Sequence, residues 1–223
     1  MSGGQLSVPI VIRGPGSAAH QLGAQHSQSL EAWFAHVPGL IVMAPATPHD
    51  AKGLLKSAIR NPNPVIFIEA QLLYGTKGEV SDADYTIPIG RAEVKREGRH
   101  VTVVAYSKML LLALEAAEDL AGQGIDVEVI DPRTLKPLDV GTLVRSVKKT
   151  GRVIVVEEGW RFAGMGAQIA ESIYSAAFDY LDAPIVRVTG EDVPIPYTRP
   201  LEDLAIPDRR RIVDAVKKLL SDT

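Results

Sequence analysis

The segment VTVVAYSKMLLLALEAAEDLAG, residues 101–122, predicts a buried strand followed directly by a helix. Its first five residues are apolar or β-branched, and the rest is rich in Leu, Ala and Glu, which favour helices. The same alternation continues to the C-terminus. Further strands are predicted at 127–130, 153–156 and 185–188, and further helices at 140–149, 165–180 and 208–220. Short apolar runs separated by helices are typical of an α/β fold whose strands are mainly parallel and covered on both faces.

The first half of the chain offers fewer elements. Strands are predicted at 8–12, 40–43 and 65–68, and helices at 29–36 and 47–60. Thr47 is a suitable cap for the second helix, Pro48 suits its first position, and Asp50 suits its positive end. A sheet of three strands leaves its edges and much apolar surface bare. This half is therefore expected to pack on the second half or on a partner, or to be preceded by further elements.

A polar stretch without periodicity, residues 75–85, separates the two halves. We interpret it as a connection between domains. The prediction is a first domain over residues 1–80, a linker over 81–95 and a second domain over 96–223.

Composition excludes several functional classes. A net charge of -3 and a pI near 6.0 give no basic surface for nucleic acid. The absence of cysteine excludes disulfides, thiol nucleophiles and thiolate metal sites. No apolar run approaches the length needed to cross a bilayer, and the first residues show no targeting pattern.

Two glycine motifs follow predicted strands. Gly14-x-Gly16-x-x-Ala19 matches part of a dinucleotide-binding turn, but the required helix and acidic residue are not evident. A plain turn is favoured, and a nicotinamide-dependent enzyme is kept as an alternative. Gly164-x-Gly166 opens a helix whose amides suit an anion, although close packing of helix on sheet explains the glycines equally well and is favoured.

His26 is the strongest candidate for chemistry among the five histidines. It lies in a polar loop with small neighbours that leave room for a ligand. Adjacent side chains do not generally face each other, so His26-Ser27 is not interpreted as a nucleophile pair. A histidine there can donate a proton near neutral pH, or it can be a solvent-facing residue without a catalytic role.

The sequence Asn61-Pro62-Asn63 follows the second predicted helix. Backbone carbonyls and amide oxygens meet at this position, and such oxygens suit a hard cation. Water or capping groups are the alternative partners for carbonyls at the end of a helix.

Several ordered blocks together resemble one family. They are VPIVIRGPG (8–16), AQHSQ (24–28), WFAHVPG (33–39), DAKGLLKSAIR (50–60), IDPRTLKPLD (130–139), VEEGW (156–160) and GEDVPIPY (190–197). The chain resembles, over essentially its whole length, the β subunits of the pyruvate dehydrogenase E1 component, which are thiamine-diphosphate-dependent 2-oxoacid dehydrogenases. Branched-chain 2-oxoacid and acetoin dehydrogenase β chains are similar too.

The resemblance implies a fold and a reaction. The fold is the C-terminal part of a transketolase-like pyrimidine-binding domain, followed by a transketolase C-terminal-type α/β domain. The reaction is oxidative decarboxylation of a 2-oxoacid, pyruvate first, with acyl transfer to the lipoyl group of E2. His26 corresponds to the family's active-site histidine, beside thiamine diphosphate whose Mg²⁺ is held by the α subunit. The family's activating glutamate lies upstream of Met1, so neither Glu31 nor Glu69 is assigned that role.

The resemblance also implies a structural K⁺ site and a set of partners. The K⁺ ligands map to Ile10, Ala58, Ile59, Asn61 and Asn63, with carbonyls from the first three; many members carry Asp where this chain has Asn61.

The expected partners are the E1 α subunit, a second β subunit in an α2β2 assembly, and E2. Arg133, Trp160 and the region of Leu220 are the interface candidates. The chain alone is expected to be inactive, in a bacterial cytoplasm or a mitochondrial matrix. A non-catalytic assembly module is the alternative.

Overall fold

The computed structural model describes residues 4–18 and 20–222 and contains two sheets with helices around them. The strands are β1 (Val11–Gly16), β2 (Ile41–Met43), β3 (Val65–Ala70), β4 (Glu93–Arg96), β5 (Val101–Ala105), β6 (Val127–Asp131), β7 (Thr134–Lys136), β8 (Val153–Trp160) and β9 (Val186–Gly190). The α-helices are α1 (Glu31–His36), α2 (Pro48–Ile59), α3 (Lys108–Ala121), α4 (Val140–Thr150), α5 (Met165–Ala177), α6 (Arg199–Ala205) and α7 (Arg209–Ser221). Short 3₁₀ helices follow at Gln71–Gly75 and Phe178–Tyr180. No helix in these ranges is long and apolar enough to cross a membrane.

The second half forms a five-stranded sheet in the order β4-β6-β5-β8-β9. The last four strands in that order are mutually parallel, and β4 lies antiparallel to β6 at the edge. Helices α3 and α7 pack against one face, and α4 and α5 pack against the other. Because neighbouring residues of a strand point to opposite faces, Val103 of β5 joins the first cluster and Val104 the second. The predicted α/β class with a mainly parallel sheet is confirmed.

The first half contributes three strands to a four-stranded sheet, in the order β1-β3-β2-β7. Strands β1, β3 and β2 are parallel, whereas β7 pairs antiparallel with β2. Strand β7 comes from the second half of the sequence, and its Leu135 is 1% exposed. The expected packing of the first half on the second is thus observed, because the second half supplies a strand to its sheet. Strand β1 remains at the edge of this sheet, and its Ile12 is 56% exposed.

A buried ionic network holds the same junction. Asp50 of α2 is fully buried and accepts hydrogen bonds from Lys95 Nζ at 2.7 Å and Arg133 Nη1 at 3.1 Å. Burial opposes ionisation of Asp50, but the bonds from Lys95, Thr47 and Arg133 outweigh it and hold the pKa below its ordinary value. Arg133 is 8% exposed, so its assignment to a subunit interface is wrong.

Strand β1 begins and ends later than its sequence predicts. Pro9 has no backbone N–H, and regular pairing with β3 starts at Val11 and continues to Gly16. The segment Arg13-Gly-Pro-Gly16 is therefore strand rather than the expected turn. A Cβ at Gly16 would lie 2.8 Å from the Ile68 side chain, so close approach of β3 explains this glycine. Residues 17, 18 and 20–30, the described part of the segment that follows, form a loop without a helix, which removes the dinucleotide-turn alternative.

Prediction. Leu135→Ala should lower the free energy of unfolding by about 3 kcal/mol, because it opens a cavity where β7 joins the two halves. The control is Leu6→Ala, since Leu6 is 75% exposed; it should change stability by less than about 0.5 kcal/mol. Urea unfolding followed by circular dichroism measures both. Equal losses for the two variants would contradict the role given to β7.

Candidate active site

His26 lies in the loop that connects β1 to α1, and its side chain is exposed. We call this segment (Ser17, Ala18 and residues 20–30) the β1–α1 loop. The backbone N–H of His26 donates to the Gly23 carbonyl at 3.3 Å. The loop is closed at its base, where the Ser17 N–H donates to the Gln28 carbonyl at 3.0 Å. The imidazole is thus reachable from outside the chain, as a catalytic histidine requires.

A buried ion pair fixes the start of this loop. Lys108, the first residue of α3, donates from Nζ to the Ala18 carbonyl at 2.9 Å and lies 2.7 Å from Glu158 Oε2. The Ala18 N–H donates to the same carboxylate. Burial raises the pKa of Glu158, and Lys108 opposes that rise. The loop backbone is therefore held by two residues of the second half of the chain.

A second anchor supports the turn just before His26. Gly23 has a φ of +70°, and a Cβ there would lie 2.6 Å from the ring of Tyr197. The Tyr197 hydroxyl donates to Gln25 Oε1 at 3.2 Å, and the Gln21 N–H donates to Glu202 Oε1 at 3.2 Å. Only glycine combines this backbone conformation with so close an aromatic ring.

Sequence reasoning missed these supporting residues. Tyr197 stands in the block GEDVPIPY, which was used only for the family resemblance. Lys108 was counted as an ordinary helix residue, because lysine is rarely buried unless it is paired and its partner Glu158 is distant in the sequence. Trp160, an interface candidate, donates from Nε1 to the Val193 carbonyl at 3.0 Å. Leu220, the other candidate, is partly buried against the core.

A pocket of about 630 Å³ opens beside the β1–α1 loop, between α1 and the turn from β8 to α5. We call it the aromatic pocket; the residues that matter for its chemistry are Glu31, Trp33, Tyr106, Glu157, Trp160 and Phe162. Burial raises the pKa of Glu31 to about 7; its own backbone N–H lowers it, and Glu158 and Glu157 raise it further.

Glu157 explains the motif Gly164-x-Gly166. Its carboxylate accepts a hydrogen bond from the Gly166 N–H at 2.8 Å and one from Arg187 Nη2 at 2.7 Å. A Cβ at either glycine would collide with this side chain. The start of α5 therefore holds an anion, but that anion is the chain's own carboxylate. Close packing therefore explains both glycines, as the sequence analysis favoured, and the packed group is the Glu157 side chain of β8.

The residues assigned to K⁺ lie around the end of α2 and the chain segment before β1. The Ile10 carbonyl accepts from Val65 N–H at 2.9 Å, and the Ala58 carbonyl accepts from Asn61 N–H at 3.1 Å. Asn61 Oδ1 accepts from the N–H of Asn63 at 2.9 Å. Asn61 Oδ1 also accepts from Asn63 Nδ2 at 3.2 Å, and the Ala58 carbonyl also accepts from the Arg60 N–H, so each of these two oxygens already has two donors. Within residues 4–18 and 20–222, no group of three or more His, Asp or Glu side chains is arranged to hold a metal. The K⁺ assignment stays a prediction.

Comparison with known families defines the class of this fold and site. The chain matches the description "Transketolase, pyrimidine binding domain" over residues 1–77 and "Transketolase, C-terminal domain" over residues 90–212. The second match alone covers more than half of the chain. A split-gene transketolase described as an inactive β4 tetramer superposes with a TM-score of 0.79 and 29% identity, covering 96% of this chain and 67% of that one. The fold is thus of the transketolase type.

Individual relatives narrow the class. The chain is 52% identical over 218 residues to the pyruvate dehydrogenase E1 component subunit β of Rhizobium meliloti, covering 97% of this chain and 47% of that protein. It is 53% identical over 219 residues to the corresponding subunit of Rickettsia felis, covering 98% of this chain and 67% of that protein. The chain belongs to the family of pyruvate dehydrogenase E1 β subunits. It spans between about half and two thirds of the length of these relatives.

Prediction. Lys108→Met should lower the free energy of unfolding by about 3 kcal/mol, because it leaves Glu158 buried without its cation. Amide hydrogen exchange in the β1–α1 loop should accelerate at the same time. Adding Glu158→Gln should recover part of the loss, since the neutral amide needs no counter-charge. The exposed Lys217→Met is the matched control. A loss no larger than that of the control would show that the ion pair does not hold the loop.

Prediction. Glu31→Gln should stabilise the chain at pH 8 and have little effect near pH 4. Burial raises the carboxyl pKa of Glu31 to about 7 in the folded chain, against 4.5 for a glutamate in water. The folded state therefore binds the proton more tightly, and stability falls as pH rises from about 4.5 to 7. The variant avoids this loss, which amounts to about 3 kcal/mol above pH 7.

Thermal unfolding from pH 4 to pH 8 measures the difference between the two proteins. Glu115→Gln, at an exposed position of α3, serves as the control and should match the unmodified chain throughout. A difference between Glu31→Gln and the unmodified chain that does not grow with pH would rule out the buried carboxyl as its cause.

Proposed function

We propose that this chain acts as the β subunit of a thiamine-diphosphate-dependent 2-oxoacid dehydrogenase E1 with pyruvate as its substrate. The observation that carries the proposal is the exposed His26, held on a loop that buried contacts with Lys108, Glu158 and Tyr197 anchor. The backbone of His26 is held in place while its imidazole stays accessible to solvent. This arrangement suits a residue that acts on a substrate bound to other chains. The identity to E1 β subunits supports the same assignment.

The residues present fit a cofactor that is shared between subunits. When bound, thiamine diphosphate supplies the electron sink that decarboxylation of a 2-oxoacid needs. His26 donates a proton or a hydrogen bond during acyl transfer to the lipoyl group of E2. We assign the diphosphate and its Mg²⁺ to the α subunit, and a K⁺ ion to Ile10, Ala58, Ile59, Asn61 and Asn63.

The partners in this proposal are the α subunit, a second β subunit and E2. In this proposal the α subunit contributes part of the site, so the 223-residue chain alone should be inactive. The related split-gene transketolase, whose β chains form an inactive tetramer, favours this view and also the alternative of a non-catalytic assembly module.

Branched-chain 2-oxoacids or acetoin are the alternative substrates. We also propose that a linker over residues 81–95 separates the two domains. The location we propose is a bacterial cytoplasm or a mitochondrial matrix.

Prediction. His26→Gln should lower acylation of an E2 lipoyl domain by about 10²–10⁴-fold, the usual contribution of a positioned proton donor. Pyruvate-dependent dye reduction bypasses the lipoyl group and should fall less. The assay uses the chain mixed with α, both as it stands and extended by the glutamate-bearing segment that the resemblance places upstream. His20→Gln, at an exposed position of the same loop, is the matched control.

Unchanged lipoyl acylation by His26→Gln would refute the histidine's role. Full turnover by the chain without α would refute the shared site. Dye reduction with a branched-chain oxoacid but not with pyruvate would replace the substrate while keeping the mechanism.

A further inference from the structure

The aromatic pocket contains a buried carboxylate for which the described residues provide no cation. Glu31 is 5% exposed and lines the pocket wall. Among the ion pairs formed within residues 4–18 and 20–222, none includes Glu31. A buried carboxylate without a counter-charge is costly, and such groups are usually paired.

The neighbouring charges do not relieve this cost. Glu157 and Glu158 both act on Glu31 with the same sign. Their own cations are already engaged: Arg187 lies 2.7 Å from Glu157, and Lys108 lies 2.7 Å from Glu158. Three carboxylates thus share two permanent cations. His36 also lines the pocket, but none of the ion pairs within residues 4–18 and 20–222 joins it to Glu31. With His36 neutral, the pocket is one positive charge short when all three carboxylates are ionised.

The mouth of the pocket is aromatic and unusually exposed. Trp33 of α1 is 72% exposed, and Phe162, in the turn between β8 and α5, is 83% exposed. Trp160 forms part of the same wall. Flat rings beside a carboxylate match a guanidinium, which stacks on aromatic faces and forms paired hydrogen bonds with an acid. A lysine ammonium can lie over one ring, but it cannot stack in parallel between two rings while forming paired hydrogen bonds with an acid.

We propose that the aromatic pocket is an interaction surface that receives an arginine side chain from a partner polypeptide. The guanidinium pairs with Glu31 and stacks between Trp33 and Phe162. Exposed Trp and Phe around a desolvated pocket are typical of the centre of a protein interface, where arginine is also enriched. The unpaired carboxylate of Glu31 requires a positively charged ligand, and the aromatic rings favour a flat one. The inference does not depend on the role of His26, because His26 is not part of the pocket.

The chain offers a direct spectroscopic test. It contains two tryptophans, Trp33 and Trp160, and both line the aromatic pocket. Tryptophan fluorescence, excited at a wavelength that tyrosine does not absorb, therefore reports on this site. The probes are N-acetyl-arginine-N-methylamide and its uncharged isostere N-acetyl-citrulline-N-methylamide, titrated at pH 8, with the capped amides of lysine and phenylalanine as further arms.

Capped arginine should produce a saturable change with a Kd of about 1 mM, and citrulline should bind at least about 10-fold more weakly. Glu31→Gln should weaken arginine binding by about 10-fold or more, whereas Glu115→Gln should leave it unchanged. Phe162→Ala removes a side chain that stabilises little, so the variant will fold; it should weaken binding by about 5-fold through loss of stacking.

Several results would overturn the proposal. They are the absence of a saturable response to arginine, equal binding of citrulline, and full binding by Glu31→Gln. Tighter binding of the lysine amide would point to a simple ammonium site instead. Tighter binding of the phenylalanine amide would identify an apolar groove. Self-association of the chain that capped arginine reverses would place a second copy in the pocket rather than a different partner.

Discussion

The antiparallel pairing of β7 with β2 is the constraint on which the rest of this structure depends. It places three residues of the second half in the sheet of the first half. Once this pairing forms, α2 lies next to β4 and the turn before β7, where Asp50 meets Lys95 and Arg133. A charge as deeply buried as Asp50 is tolerable only because these cations arrive with it. Strand pairing and the neutralisation of Asp50 therefore take place at the same junction.

The same junction determines the environment of the β1–α1 loop. With the two halves fixed, the charged end of α3 and the acidic pair at the end of β8 lie under the loop. Lys108 then bonds a backbone carbonyl of the first half and a carboxylate of the second. Hydrogen bonds formed in such a low-dielectric place are strong and are costly to break. A histidine can therefore be exposed and still have a well-defined position.

The sequence was most informative where local rules and tertiary packing agree. Strand β5 and helix α3 were predicted almost to the residue, and the cap by Thr47 is present, with Asp50 N–H donating to its hydroxyl at 3.1 Å. Strands β4 and β7 and helix α6 were missed, because they are short and form only where a distant segment provides pairing or cover. His26 was found through its loop chemistry and the family resemblance. Glu31 was named only to be set aside as the family's activating glutamate, since nothing local in the sequence indicates that it is buried.

The acids behind the β1–α1 loop show how one buried region serves two purposes. Glu158 is neutralised inside the chain and fixes the backbone that precedes His26. Glu157 is neutralised by Arg187 and by the first turn of α5, and so fixes the wall of the aromatic pocket. Glu31 is the member of this group with no cation from residues 4–18 and 20–222, and it lines the aromatic pocket. Burial raises the pKa of the Glu31 carboxyl to about 7. Below that pH the carboxyl is protonated, and the free-energy cost of burying its charge is absent. A cation from another chain would neutralise the ionised Glu31 without a proton. The protonation of Glu31 would then depend on whether that chain is bound.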